Sequence, residues 1–329
     1  MTTGEHALPP IARRATRRLS VAAATMSLAL AAGTGTVAQE EPVSIVATTE
    51  VLGSIVEQLA GDAAEIHVIM PSGADPHSYE ASARDAERIL KADVLVSNGL
   101  DLEEALLSVL ASAESEGVTW FEAADYIAVR DFGAADAAGH EEDHDEDDDH
   151  EEADHDDHGH GSQDPHIWTD PLTMRDVVVA LESTLADAGA EVADRASALV
   201  ADLEALDAEV ESILATVPAE ARKLVTGHRS LGYFADRYGF EPIGTVIPGL
   251  STSGEPSARE LAQLIEDIEA NSVSVVFAEV GTPQSVAEAV ASDSGAELVE
   301  LSVSELPEGG SYQDLIREIA ATVAGALAE

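Results

Sequence analysis

Beyond residue 40, short apolar runs alternate with stretches of helical periodicity, the pattern that a parallel α/β sheet requires. The runs predict strands over 43–48, 65–70, 93–97 and 118–121. Between them, apolar side chains recurring at three and four residues predict helices over 51–59, 82–91 and 102–113. The rhythm then restarts, with strands predicted over 223–226, 242–246, 274–278 and 297–301 and helices over 229–238, 258–270, 285–292 and 312–327. One long stripe, running from Val192 through Leu199, Leu206 and Val210 to Val217 and ended by Pro218, separates the two series. Taken as helix over 191–216 it would be roughly 39 Å long, enough to run the height of two domains. A coiled-coil dimer is the competing reading, but the stripe is short and rich in alanine, which favours an internal strut and a monomer. The fold expected is α/β, with two parallel-sheet lobes joined by a long rigid helix. Its N-terminal lobe spans 42–188, the linker helix 190–217 and the C-terminal lobe 219–329.

Two segments stand outside this pattern. Residues 1–38 read as an export signal: Arg13, Arg14, Arg17 and Arg18 precede an apolar stretch, and small residues around Thr36 to Ala38 mark a cleavage site. The apolar stretch over 21–32 is short for a membrane span, so a retained anchor is the weaker reading and an extracytoplasmic, periplasmic location is expected. Sec and twin-arginine export both remain open. Over 134–163 the periodicity gives way to Gly, Ala, Asp, Glu and His, and a disordered loop is expected there.

Composition narrows the chemistry. The 329-residue chain is 45% hydrophobic and 24% charged, as globular domains are, yet its formal charge is −48, from 64 acidic and 16 basic residues. Phosphate would be repelled, which argues against nucleic acid and for a cation as guest. There is no cysteine, which removes disulfides, thiolate metal sites and a lipid-anchored Cys from consideration. A metal site would have to use histidine and carboxylate.

Of the 11 histidines, His6 lies in the export segment, His67 on a predicted strand, and His140, His144, His150, His155, His158 and His160 in the acidic loop. The remaining three stand in turns at element ends. His77 follows Asp75-Pro76, His166 follows Asp164-Pro165, and His228 follows Gly227. Loops at the carboxyl ends of parallel strands are where open α/β sheets bind ligands. Each imidazole taken alone could equally do no more than hydrogen-bond its own turn; three together point to a site.

The stretches Pro76-His-Ser-Tyr-Glu80, Lys91-Ala-Asp-Val-Leu-Val-Ser-Asn-Gly-Leu-Asp-Leu-Glu103, Asp164-Pro-His-Ile-Trp-Thr-Asp-Pro171, Thr226-Gly-His-Arg-Ser-Leu-Gly-Tyr-Phe-Ala235, Glu255-Pro-Ser-Ala-Arg259 and Gly310-Ser-Tyr-Gln-Asp-Leu315 carry a resemblance. In this order they resemble the zinc and manganese substrate-binding proteins of ABC importers, of the ZnuA type. The resemblance implies two lobes with the ion in the cleft between them, carries over His77, His166 and His228 as its ligands, and implies an ABC permease and its ATPase as partners. Neutral imidazoles suit Zn²⁺, whereas manganese relatives favour more oxygen donors. Many relatives add an Asp from a region that reads Glu300-Leu-Ser-Val-Ser-Glu-Leu306 here, with serine at the matching position. Water, or else Glu305, is expected to fill the fourth place, with Glu300 and Glu279 as further candidates.

The loop segment from Glu141 to Asp157 holds 13 carboxylates. The acidic loop is either a solvated charge run or a weak zinc-collecting antenna built on its six histidines. Trp168 is expected beside His166, and Tyr233 and Phe234 in the core. The reading is thus a non-enzymatic zinc receptor. A manganese receptor of the same family, a zinc buffer or adhesin, and a zinc hydrolase using a metal-bound water are the alternatives, the last lacking a motif such as His-Glu-x-x-His.

Overall fold

The computed structural model describes residues 42–131 and 163–328. The segment 1–38, expected to be an export signal, and the acidic loop with its six histidines lie outside the described residues.

The N-terminal half is a four-stranded, wholly parallel sheet in the order β2-β1-β3-β4. Its strands are β1 (Val43–Ala47), β2 (Ala64–Val68), β3 (Val94–Ser97) and β4 (Thr119–Glu122), connected by α1 (Glu50–Ala60), α2 (Ala83–Lys91) and α3 (Leu107–Glu116). In the C-terminal half, β5 (Lys223–Thr226) pairs with β6 (Glu241–Thr245), and β7 (Val275–Ala278) with β8 (Glu297–Glu300), again in parallel. These are two two-stranded ladders, and a register shift at Leu224/Val225 disturbs the β5 side. Helices α6 (Gly232–Tyr238), α7 (Ala258–Asn271), α8 (Gln284–Ser294) and α9 (Tyr312–Leu327) complete this half. The α/β class with parallel sheets is as expected.

Between the halves run α4 (Pro171–Asp187) and the 22-residue α5 (Ala193–Leu214), roughly 33 Å long at 1.5 Å per residue. Helix α5 packs against α4, α9 and α1. Side-chain alternation along the strands explains the layering. Ile45 and Ala47 of β1, Val94 and Val96 of β3, Leu224 of β5 and Val275 and Phe277 of β7 all face one central core shared with α1, α4, α5 and α9. The residues between them face outward: Val46 and Leu95 pack beneath α2 and α3, and Val225 and Val276 beneath α7 and α8. Both sheet faces are therefore buried, which is why the strands read as continuous apolar runs. No helix among the described residues is long and apolar enough to cross a membrane.

Two helices start later than their periodicity predicts. Ahead of α3, Gly99, Leu100 and Asp101 take left-handed backbone angles (φ 88°, 55° and 57°). The buried Glu103 carboxylate folds back onto the main-chain N–H groups of Asn98 and Gly99 and the Thr48 hydroxyl, so the chain reaches α3 through a short 3₁₀ turn. Ahead of α6, residues 229–231 are taken up by the turn that carries His228.

Candidate metal centre

Three turns meet at one point: those that follow β2 and β5, and the one that opens onto α4. His77 lies in the loop after β2, where Ile69 and Met70 still donate main-chain hydrogen bonds to Ala47 and Thr48 before the chain turns away. His166 precedes α4, whose first turn is fixed by the Asp170 cap and Pro171. His228 follows β5, and Gly227 before it is so close to the 279–282 turn that a Cβ would stand 1.9 Å from Thr282 Oγ1.

The three imidazoles are buried, at 4%, 1% and 3% exposure for His77, His166 and His228. Their ligand atoms all lie within 4.8 Å of one another. Nε2 of His166 is 3.2 Å from Nε2 of His77 and 3.1 Å from Nε2 of His228. Nitrogens bound at about 2.0–2.1 Å to a tetrahedral zinc stand about 3.3 Å apart, so the spacing suits that ion.

Electrostatics give the convergence a direction. Asp164 Oδ1 lies 2.8 Å from His166 Nδ1 and holds the ring proton there, which leaves the Nε2 lone pair facing the other rings. Glu279 Oε2 lies 2.7 Å from His228 Nδ1, and Glu279 Oε1 accepts the Ser230 hydroxyl at 2.7 Å. Behind Asp164, Arg130 Nη1 stands 3.5 Å from Oδ2. Burial pushes His77 down to about 2, with the neighbouring rings of His166 and His228 adding to the effect. Burial also lowers His166, against the pull of Asp164. Burial thus keeps His77 and His166 neutral, the form in which an imidazole nitrogen serves as a metal ligand.

Of the carboxylates considered as a fourth ligand, none joins the three imidazoles. Glu305 is turned away: its main-chain oxygen accepts the Ser302 hydroxyl and its Oε1 accepts the Ser72 hydroxyl at 3.3 Å, so the side chain lies along the 71–73 turn. Glu279 sits behind His228, and Glu300 ends β8 as an exposed residue. Sequence reasoning missed the supporting roles of Asp164 and Asp75. A signal was present, since both precede a histidine by two residues in Asp-Pro-His, and in both turns the Asp Oδ1 accepts the histidine main-chain N–H at 3.0 Å.

Trp168 packs edge-on to His166, with centroids 5.5 Å apart, and donates its indole N–H to Val303 O at 2.6 Å. Tyr233 and Phe234 are core residues, as expected, and the Tyr233 hydroxyl accepts the Arg130 main-chain N–H. His67, on β2, is half-exposed and pairs with Glu65 at 3.3 Å. An open cleft of about 500 Å³, bordered by His77, Leu100, Asp101, Glu104, Pro165 and Leu250, leads to the site.

A family model described as Zinc-uptake complex component A periplasmic, ZnuA, matches residues 45–326. The high-affinity zinc uptake system protein ZnuA of Paracoccus denitrificans is 30% identical over 334 aligned positions, covering 92% of this chain and 98% of the relative. The manganese-binding lipoprotein MntA of Halalkalibacterium halodurans is 27% identical over 269 positions, covering 80% of each. Among solved structures, the periplasmic zinc binding protein TroA from Treponema pallidum matches with a TM-score of 0.73 at 26% identity, covering 88% of this chain and 100% of that one.

Proposed function

The chain belongs to the zinc-uptake complex component A family, and on that premise we propose that it is the extracytoplasmic receptor of an ABC importer, capturing Zn²⁺ and delivering it to a permease and its ATPase. It acts without catalysis, as a monomer exported by the segment 1–38. The transported ion is held by His77, His166 and His228, with water in the fourth place. The acidic loop, through His140, His144, His150, His155, His158 and His160, collects zinc weakly ahead of that site. The N-terminal lobe over 42–188 and the C-terminal lobe over 219–329 close the cleft around the ion, with the helix over 190–217 as the strut between them.

One observation carries this reading: three buried imidazoles from distant parts of the chain point Nε2 atoms at one another at 3.1 and 3.2 Å. An all-imidazole set favours zinc over manganese, which prefers oxygen donors. A shared central core limits lobe motion to small adjustments, which suits a receptor that holds a desolvated ion. Competition titration of the metal-free protein against a chromophoric chelator tests the proposal. One tight zinc ion per chain, with manganese weaker, is expected. A manganese affinity equal to that for zinc would overturn the choice of ion.

A further inference from the structure

The two Asp-Pro-His turns begin alike and end differently. In both, the aspartate Oδ1 accepts the histidine main-chain N–H at 3.0 Å. Asp164 then turns the same oxygen onto the ring of its own histidine, 2.8 Å away. Asp75 instead reaches out of the N-terminal half, and its Oδ2 accepts the hydroxyl of Thr252 at 2.6 Å. Thr252 stands in the loop after β6, in the C-terminal half.

Asp75 is also the residue from which the His77 turn hangs, because its main-chain oxygen accepts the N–H groups of Ser78 and Tyr79 at 3.3 and 3.0 Å. The C-terminal half closes tightly around the contact. At Gly281, whose φ is +86°, a Cβ would lie 2.9 Å from Asp75 Oδ2 and 2.7 Å from Thr252 Cγ2. Gly281 is two residues from Glu279, the partner of His228, and Arg229 donates its main-chain N–H to Gly249 O at 3.1 Å, in the loop that holds Thr252. The turns that carry and orient His228 therefore also fix the residue that grips the His77 turn.

We propose that the Asp75–Thr252 hydrogen bond is a latch between the two halves, with Asp75 as a positioning residue that holds His77 in place and slows release of the bound ion. This rests on the receptor reading above. To free the ion, the 71–80 turn must part from the 226–230, 248–254 and 279–282 turns, and this bond lies directly across the parting. A hydrogen bond to a carboxylate is stronger than one between neutral groups. The other link from the same turn, Ser72 to Glu305 at 3.3 Å, is exposed to water and contributes less.

The test uses the full chain loaded with Zn²⁺ and mixed rapidly with excess chromophoric chelator. Thr252→Val keeps the shape and removes the donor; Thr252→Ser keeps the donor. The tight ion is expected to leave Thr252→Val about tenfold faster, the scale that loss of one such bond allows. Thr252→Ser should release at the wild-type rate. A wild-type rate in Thr252→Val would overturn the latch and leave the receptor reading standing. Equal acceleration in both variants would also overturn it, since packing rather than the hydroxyl would then be responsible. A wild-type chain without a tight zinc ion would overturn the receptor reading, and the latch with it.

Discussion

Asp164 holds His166 twice, accepting its main-chain N–H at 3.0 Å and facing its ring Nδ1 at 2.8 Å through the same carboxylate oxygen. One side chain thus sets both the turn and the ring tautomer, so its loss should be felt by the metal and not only by the fold. Asp164→Asn keeps the size but removes the charge. It is expected to weaken zinc binding by about 10- to 100-fold, the usual cost of losing such a partner. Chelator competition measures this directly, and unchanged affinity would show that the tautomer is fixed by other means.

The cleft and the acidic loop should separate cleanly under mutation. Replacing His77, His166 or His228 by Ala should each weaken the tight site by at least about tenfold, because each supplies one of three preorganised nitrogens. Deleting 138–161 should leave that site intact and remove only weak binding. Calorimetry on the four variants would decide it. Tight binding that followed the loop deletion and survived the histidine replacements would reverse the assignment.

Zinc should also stabilise the fold by mass action, since only the native chain brings the three imidazoles together. At free zinc a hundred times the dissociation constant, the gain is about 2.7 kcal/mol. Thermal unfolding with zinc and with manganese at equal concentration should show the larger shift for zinc. Equal shifts would contradict the preference drawn from the imidazole donors.

Much of this architecture was legible because each local signal agreed with its surroundings. The helix predicted over 312–327 is α9, where Ser311 and Asp314 form a reciprocal cap ahead of an uninterrupted apolar stripe. The three histidines stood out because each sits beside a Pro or Gly in a turn at an element end. What sequence could not supply was pairing at a distance. Glu279 meets His228 from 51 positions away, and Thr252 meets Asp75 across 177. The late start of α3 was hidden for a related reason: Glu103 fits the apolar stripe's flank, yet its carboxylate is consumed by Asn98, Gly99 and Thr48. The contact of Glu305, named after water for the fourth place, with Ser72 is likewise tertiary and has no local signal.

Glu122 offers a test of the electrostatics that is independent of the metal. It ends β4 half-buried, packed so close to Gly99 that a Cβ there would stand 2.5 Å from its Cγ. Burial first, and then the charges of Asp125, Glu103, Asp101 and Glu114, push it up to about 7 from 4.5. The folded state therefore holds this proton more tightly than the unfolded chain. Its contribution to stability is fully present below about pH 4.5 and is lost as pH rises through about 7. Glu122→Gln should melt higher than the wild type at pH 8 and equally at pH 4.5. The gain should not exceed about 1 kcal/mol, because solvent screens a half-exposed carboxylate. The same difference at both pH values would exclude the ionisation as its source.

The acid behaviour of the cleft follows from the direction of the histidine shifts. His77 falls from 6.5 to about 2 and His166 is also lowered, in both cases chiefly because burial opposes the charged ring. For a base whose folded pKa is depressed, the unfolded chain binds more protons at low pH. Stability is then complete above about pH 6.5 and declines as pH falls below it, by at most about 1.4 kcal/mol per pH unit for each such histidine. The metal-free protein should thus lose melting temperature steadily from pH 7 to pH 5, and His77→Ala should flatten that decline. Zinc affinity at the cleft should behave differently, because His77 and His166, held neutral by burial, leave protons little to compete for there. It should change little between pH 8 and pH 6. For histidines among the 13 carboxylates of the segment from Glu141 to Asp157, neighbouring negative charge stabilises the imidazolium form. Calorimetry across this range should show the weak, multi-ion phase vanish while the single tight phase persists, and loss of both phases together would refute the protected cleft.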